Sequence, residues 1–177
     1  DNRPQASQLL TDYTFTCANR YAAAGSSKKW AYQFARVPSC NIWAQPSNPA
    51  PVTQCSDAVC HGAEIDFVFN SSPQVCSVNW FSPDEEDLSA LMNSYWGSLA
   101  TDLDPNIGTD GPTWPPFGSD KNRLILNTPI SGIQTSTDLN ANCSLWDSIG
   151  YSGKRQGTIA AISYCEQNGM SSLSAKR

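Results

Sequence analysis

His61 is the only histidine among the 177 residues. It closes the string Cys55-Ser56-Asp57-Ala58-Val59-Cys60-His61 and is followed by Gly62, Ala63 and Glu64. An imidazole titrates near neutral pH, so a single one can move a proton, hold a metal or sense pH. Proton transfer needs the ring presented on a loop, and Gly62 has the backbone freedom for the turn that such a loop requires. A second chemistry is covalent haem attachment, in which two thiols and His61 would bind the porphyrin and its iron. That motif is Cys-x-x-Cys-His, and here four residues separate the cysteines. Zinc is the third, but one histidine and cysteines engaged in bridges leave too few ligands, so no metal site and no cofactor are expected. Against all three stands a solvated or structural loop histidine. Glu64 reads either as a carboxylate that orients the loop or as an ordinary surface acid. The run Asp84-Glu85-Glu86-Asp87 could suggest a cation site, but at a helix start it reads as solvated acids complementing the dipole.

Around His61 the chain offers elements of both kinds. Residues 12–24 are expected to be helical, with Thr11 or Asp12 as the cap and Gly25 as the stop. Trp30, Tyr32, Phe34 and Arg36 alternate with Ala31, Gln33 and Ala35, which is strand periodicity. A Pro, Ser and Asn-rich stretch from Val37 to Thr53 predicts a long surface loop leading to the histidine. The apolar run Ile65-Asp66-Phe67-Val68-Phe69 is expected to anchor that loop to the core. Ser82-Pro83-Asp84-Glu85 is a helix start with a capping box, and Leu88, Leu91, Met92, Tyr95, Trp96 and Leu99 then make one apolar face. A strand at Arg123–Asn127 and weaker elements near Leu145–Trp146 and Thr158–Ile162 complete the pattern. No internal repeat or dividing linker is evident, so residues 1–177 are treated as one α/β segment.

The net charge is −5 with eleven Lys and Arg, so the positive stripe that a polyanion needs is missing and no nucleic acid is expected. Seven cysteines suit an oxidising compartment. Cys55 and Cys60 are expected to form a short disulfide that stiffens the approach to His61. Cys17 and Cys40 are further candidates, and the pairing stays open. Asn70-Ser71-Ser72 and Asn142-Cys143-Ser144 are glycosylation sequons. Together these point to a secreted, extracellular protein. No apolar run is long enough to span a bilayer.

The motifs LLTDYTFTCANR, WAYQFARV, VCHGAEIDFVF and DEEDLSALMNSYWGSLATDLDPN, followed by Trp114-Pro115, occur in an order that resembles the type-B carboxylesterase, lipase and cholinesterase family. The resemblance covers roughly residues 7–130 and looks most like a secreted, fungal-type branch. It implies an α/β-hydrolase fold, of which this chain would be the C-terminal part: a partial central sheet, a His-bearing loop and a long amphipathic helix. Members of that family carry the catalytic His in an HG-x-E context followed by an aromatic, strand-like run. His61 matches that general base, Gly62 and Glu64 match its supporting residues, and a small-molecule or lipid ester is the implied substrate. The chain order in such enzymes is Ser, acid, His. No G-x-S-x-G precedes His61, and the only acids before it are Asp1, Asp12 and Asp57. Asp12 reads as a helix cap, and Asp57 is too close along the chain to be the usual triad acid.

The resemblance therefore implies a partner: an N-terminal part of the same hydrolase domain, supplying nucleophile, acid and oxyanion hole. A non-catalytic binding module on the same scaffold and an inactive truncated product are the rivals. Residues 1–177 alone would then expose an unpaired strand edge and apolar helix faces built to cover a larger sheet. They are expected to self-associate. A monodisperse monomer with sharp, cooperative thermal unfolding would count against this.

Overall fold

The computed structural model describes residues 2–23, 25–40, 53–71, 81–118, 122–130, 134–136 and 143–150. In chain order the elements are α1 (Arg3–Thr11), a π-helical segment (Asp12–Thr16), α2 (Cys17–Ala23), β1 (Tyr32–Phe34), a 3-10 turn (Thr53–Ser56), α3 (Ile65–Val68), α4 (Pro83–Asp102), β2 (Arg123–Leu126), β3 (Gln134–Ser136) and α5 (Cys143–Ile149). They group into two units, divided after residue 27 and again after residue 138. The expected element at Thr158–Ile162 and most of the loop Val37–Thr53 lie outside the described residues.

In the unit formed by the chain's two ends, helix begins at Arg3, well before the expected residue 12. Asn2 flanks it and Pro4 occupies the first turn, where a missing N–H costs nothing. Asp12 is not a cap. It lies inside the helical run, 1% exposed, and accepts a hydrogen bond of 2.8 Å from Gln8 Nε2 one turn earlier. The backbone widens there into a π turn rather than stopping. A disulfide joins Cys17 of α2 to Cys143 of α5 across 126 residues. Tyr13 and Trp146 pack beside it, ring centroids 5.0 Å apart, and Arg20 pairs with Asp147.

In the other unit, β1 and β2 pair in parallel, Tyr32 opposite Leu124 and Phe34 opposite Leu126. Parallel neighbours need a crossover, and α3 and α4 lie in the chain between them. β3 adds antiparallel to β2, with Ile125 opposite Gln134. β2 alternates as expected for a strand with one covered face, Leu124 and Leu126 being fully buried. Against them pack Phe34, Ala63, Phe67 and the face of α4 carrying Leu88, Leu91, Met92 and Tyr95. The helix that the capping box announces is thus present and extends to Asp102, where Leu103 ends it in a left-handed conformation.

Two turns lock this layer. Asp104 Oδ1 accepts from Asn106 N (2.9 Å), and the Asn106 side chain clamps Trp114, accepting from its N–H (2.7 Å) and donating to its carbonyl (3.1 Å). Trp114 Nε1 in turn donates to Ala31 O at 2.8 Å. At the start of α4, Glu85 departs from the expected solvated acid and is fully buried. Its carboxylate accepts from Ser82 N (2.9 Å), Arg36 Nε (2.8 Å) and Ser39 N (2.7 Å), tying the exit of β1 to the helix start. Burial alone would raise its pKa, but these donors stabilise the anion and hold the carboxyl below the usual glutamate range.

Removing the Glu85 side chain leaves Arg36 without its anion and takes away one half of the capping box. Glu85→Ala should destabilise the protein by about 2–4 kcal/mol. Because the folded pKa is depressed, the stabilisation from ionised Glu85 is complete above the unfolded value of about 4.3 and is lost as pH falls through the lower folded value. Thermal unfolding followed by circular dichroism should therefore show a melting temperature that drops more steeply with acid in the wild type than in Glu85→Gln. Equal slopes would show that Glu85 has no such role.

Candidate active site

The histidine turn is held on both sides. On its N-terminal side Cys55, 1% exposed, is bridged to Cys60, closing a ring of six residues immediately before His61. On its C-terminal side Gly62 adopts φ 81°, a conformation strained for any residue with a Cβ. Ala63 N bonds to Cys60 O at 3.1 Å and Ile65 N to Gly62 O at 3.2 Å, so the chain folds back tightly around His61. The His61 side chain is exposed, and Asp57 is exposed within the ring.

The segment after Glu64 is not a strand. Ile65–Val68 is one turn of helix, so Ala63 and Phe67 share its buried side while Ile65 (52%) and Phe69 (70%) face outward. The left-handed glycine turn sends the chain into helix, and side chains of α4 donate to the carbonyls at its end. Ser89 Oγ bonds to Phe67 O at 2.9 Å, and Asn93 Nδ2 to Val68 O at 3.1 Å. Phe67 meets Phe34 and Phe81 at centroid distances of 5.0 and 4.5 Å. The histidine turn is thereby attached to the core through α3.

Glu64, half-buried, stands at the start of α3, and its Oε1 accepts from the Tyr32 hydroxyl at 3.4 Å. Burial, with the adjacent Glu64 charge and that hydrogen bond, pushes the Tyr32 phenol up to about 12. The sequence marked Tyr32 only as one of a strand's aromatics. Alternation placed it on the face of Trp30 and Phe34, but nothing local links it to a carboxylate 32 residues away. Burial raises the Asp66 carboxyl pKa on the same short helix.

Asn70 is exposed at φ 47° just past α3, with Oδ1 2.9 Å from Ser89 Oγ; Asn142 lies outside the described residues. Cys40 is disulfide-bonded to a partner outside the described residues. Among the described residues no group of His, Cys, Asp and Glu is arranged to hold a metal ion, and no helix is long and apolar enough to cross a membrane.

A parallel strand pair covered by helices, with an exposed histidine on a braced turn between strand and helix, has the character of an α/β enzyme segment. The chain belongs to the carboxylesterase family, whose profile matches residues 1–146. At the level of the family this supports an ester hydrolase with the α/β-hydrolase fold, and the β1–β2 pair with α3 and α4 is compatible with a partial sheet of that class. Over 145 residues, 78% of this chain, the sequence is 34% identical to the cAMP-regulated D2 protein of Dictyostelium discoideum. It is 28% identical over 161 residues to the crystal protein of the same organism, and 32% identical over 155 residues to the acetylcholinesterase of Gallus gallus. These alignments take in 86% and 82% of this chain. The chain spans 25%, 28% and 18% of the length of these three relatives.

Proteolysis without reductant should release the peptides carrying Cys17 and Cys143 as one linked species, and should leave Cys55 and Cys60 unavailable to alkylation. Mass spectrometry that found any of these four as a free thiol would contradict the bracing of the turn or of α2 on α5.

Proposed function

We propose that residues 1–177 are the C-terminal segment of a carboxylesterase domain and supply its general base, His61, for hydrolysis of carboxylic esters. The observation that carries this is the presentation of the sole histidine: exposed, on a turn fixed by a disulfide before it and a left-handed glycine after it, in a chain of an ester-hydrolase family. A serine on a strand-to-helix elbow preceding this segment attacks the ester carbonyl. His61 removes the serine proton and returns it to the leaving alcohol, while an acid on the same preceding segment orients the imidazole. Glu64 and Gly62 support the turn and do not exchange the proton.

The substrate is a small-molecule or lipid ester, a class consistent with the acetylcholinesterases among the relatives. No cofactor is needed, since proton transfer and the serine carry both steps. The disulfides and the exposed Asn70 sequon favour an extracellular, glycosylated protein of the secreted fungal-type branch.

The test is hydrolysis of a short-chain aryl ester by the full-length hydrolase that carries this segment. His61→Ala should remove about 10⁴-fold or more of kcat, as when one member of a cooperating triad is deleted. Glu64→Gln should cost far less, roughly tenfold. Undiminished hydrolysis without the imidazole would end the general-base assignment and leave the motif as shared ancestry.

A further inference from the structure

We propose that Tyr32 is a positioning residue for the histidine turn: its hydroxyl, donated to Glu64, ties that turn to the sheet. This rests on His61 being the general base, and it adds a residue that neither the triad nor the HG-x-E pattern contains.

Tyr32 is 38% exposed, and its ring is held from its inner side. Its backbone is paired with Leu124 in the parallel ladder, and its ring lies edge-on to Trp96 at 5.0 Å and to Trp114 at 5.9 Å. Trp114 is itself fixed through three hydrogen bonds, two to the Asn106 side chain and one to Ala31 O, the carbonyl just before Tyr32. A rigid ring carries its hydroxyl to a defined point, and at that point stands Glu64 Oε1.

Glu64 is three residues from His61 and is the hinge between the glycine turn and α3. At 3.4 Å the bond is long, so it contributes direction more than strength. Losing the hydroxyl frees the carboxylate to rotate further toward water, and the imidazole turn loses this side-chain link to β1. A small misplacement of a proton-transfer group lowers the rate of the chemical step more than it lowers substrate affinity.

Tyr32→Phe keeps the packing on both tryptophans and removes only the hydroxyl. In the full-length hydrolase it should lower kcat about threefold to tenfold, with KM within about twofold and the melting temperature unchanged. Glu64→Ala removes the acceptor, so adding Tyr32→Phe to it should cost no further activity, the signature of two residues acting through one contact. Wild-type kcat in Tyr32→Phe, or losses that multiply in the double variant, would overturn the proposal. So would a fall in melting temperature large enough to account for the lost activity, since Tyr32 would then be a packing residue. His61→Ala in the same series separates the two ideas. If it is inactive while Tyr32→Phe is silent, only the role of Tyr32 fails; if it stays active, the general-base reading fails and takes this one with it.

Discussion

The burial of Phe67 is the contact on which the rest of the site depends. Helix α3 has only four residues, far below the length at which a helix holds itself in water, so it exists because its one buried side chain is enclosed by Phe34, Phe81 and α4. Enclosing such a ring is worth about 2–3 kcal/mol. The hydrogen bonds from Ser89 and Asn93 to the carbonyls of Phe67 and Val68 then choose which of the possible docked orientations is kept. His61 lies six residues before Phe67. Its position is inherited from that hydrophobic anchor through the turn that joins them.

The enclosing layer is held by different physics at its two ends. Near the start of α4 a buried carboxylate gathers donors from the capping turn and from the residues leaving β1, an arrangement that is specific but sensitive to protonation. Near the middle, aromatic rings carry the contact: Tyr95, Trp96 and Trp114 meet at centroid distances of 5.1 to 5.5 Å. The ion pair fixes register between strand and helix, and the rings fill the volume. Acid loosens the first and leaves the second intact.

Much of this was legible in the chain. The capping box, the proline at the first helical position and the periodic apolar face announced α4 from its first residue, and the alternation in β2 announced a covered strand. The disulfide between Cys55 and Cys60 is short enough to be suggested by spacing alone. Three features were hidden for physical reasons. Ile65, Phe67 and Phe69 alternate as in a strand, and only the glycine turn and the docking on α4 decide for helix. Four acids in a row look solvated, and nothing local says that Arg36 and Ser39 will close over one of them. Gln134-Thr135-Ser136 carries no apolar pattern, because β3 takes its register from the β2 backbone. The partnership of Tyr32 with Glu64, like that of Cys17 with Cys143, joins residues far apart in sequence and is decided only by the fold.

The Asn106 side chain makes the two bonds to Trp114 that a neighbouring strand residue would make with its backbone. One amide therefore substitutes for a piece of sheet, and the residues between them are closed off as a separate excursion. Inside it, Tyr95 donates to Pro112 O and Gly111 packs against the side chains of Leu91 and Tyr95, so the returning limb lies close on α4. The outward limb is held as well: Gly108 turns with φ 67°, Ser98 Oγ donates to Ile107 O at 2.7 Å, and Thr109 Oγ1 donates to Pro105 O at 3.0 Å. A residue inserted between Asn106 and Trp114 would therefore break bonds to α4, so the helix acts as a ruler that sets the length of this excursion.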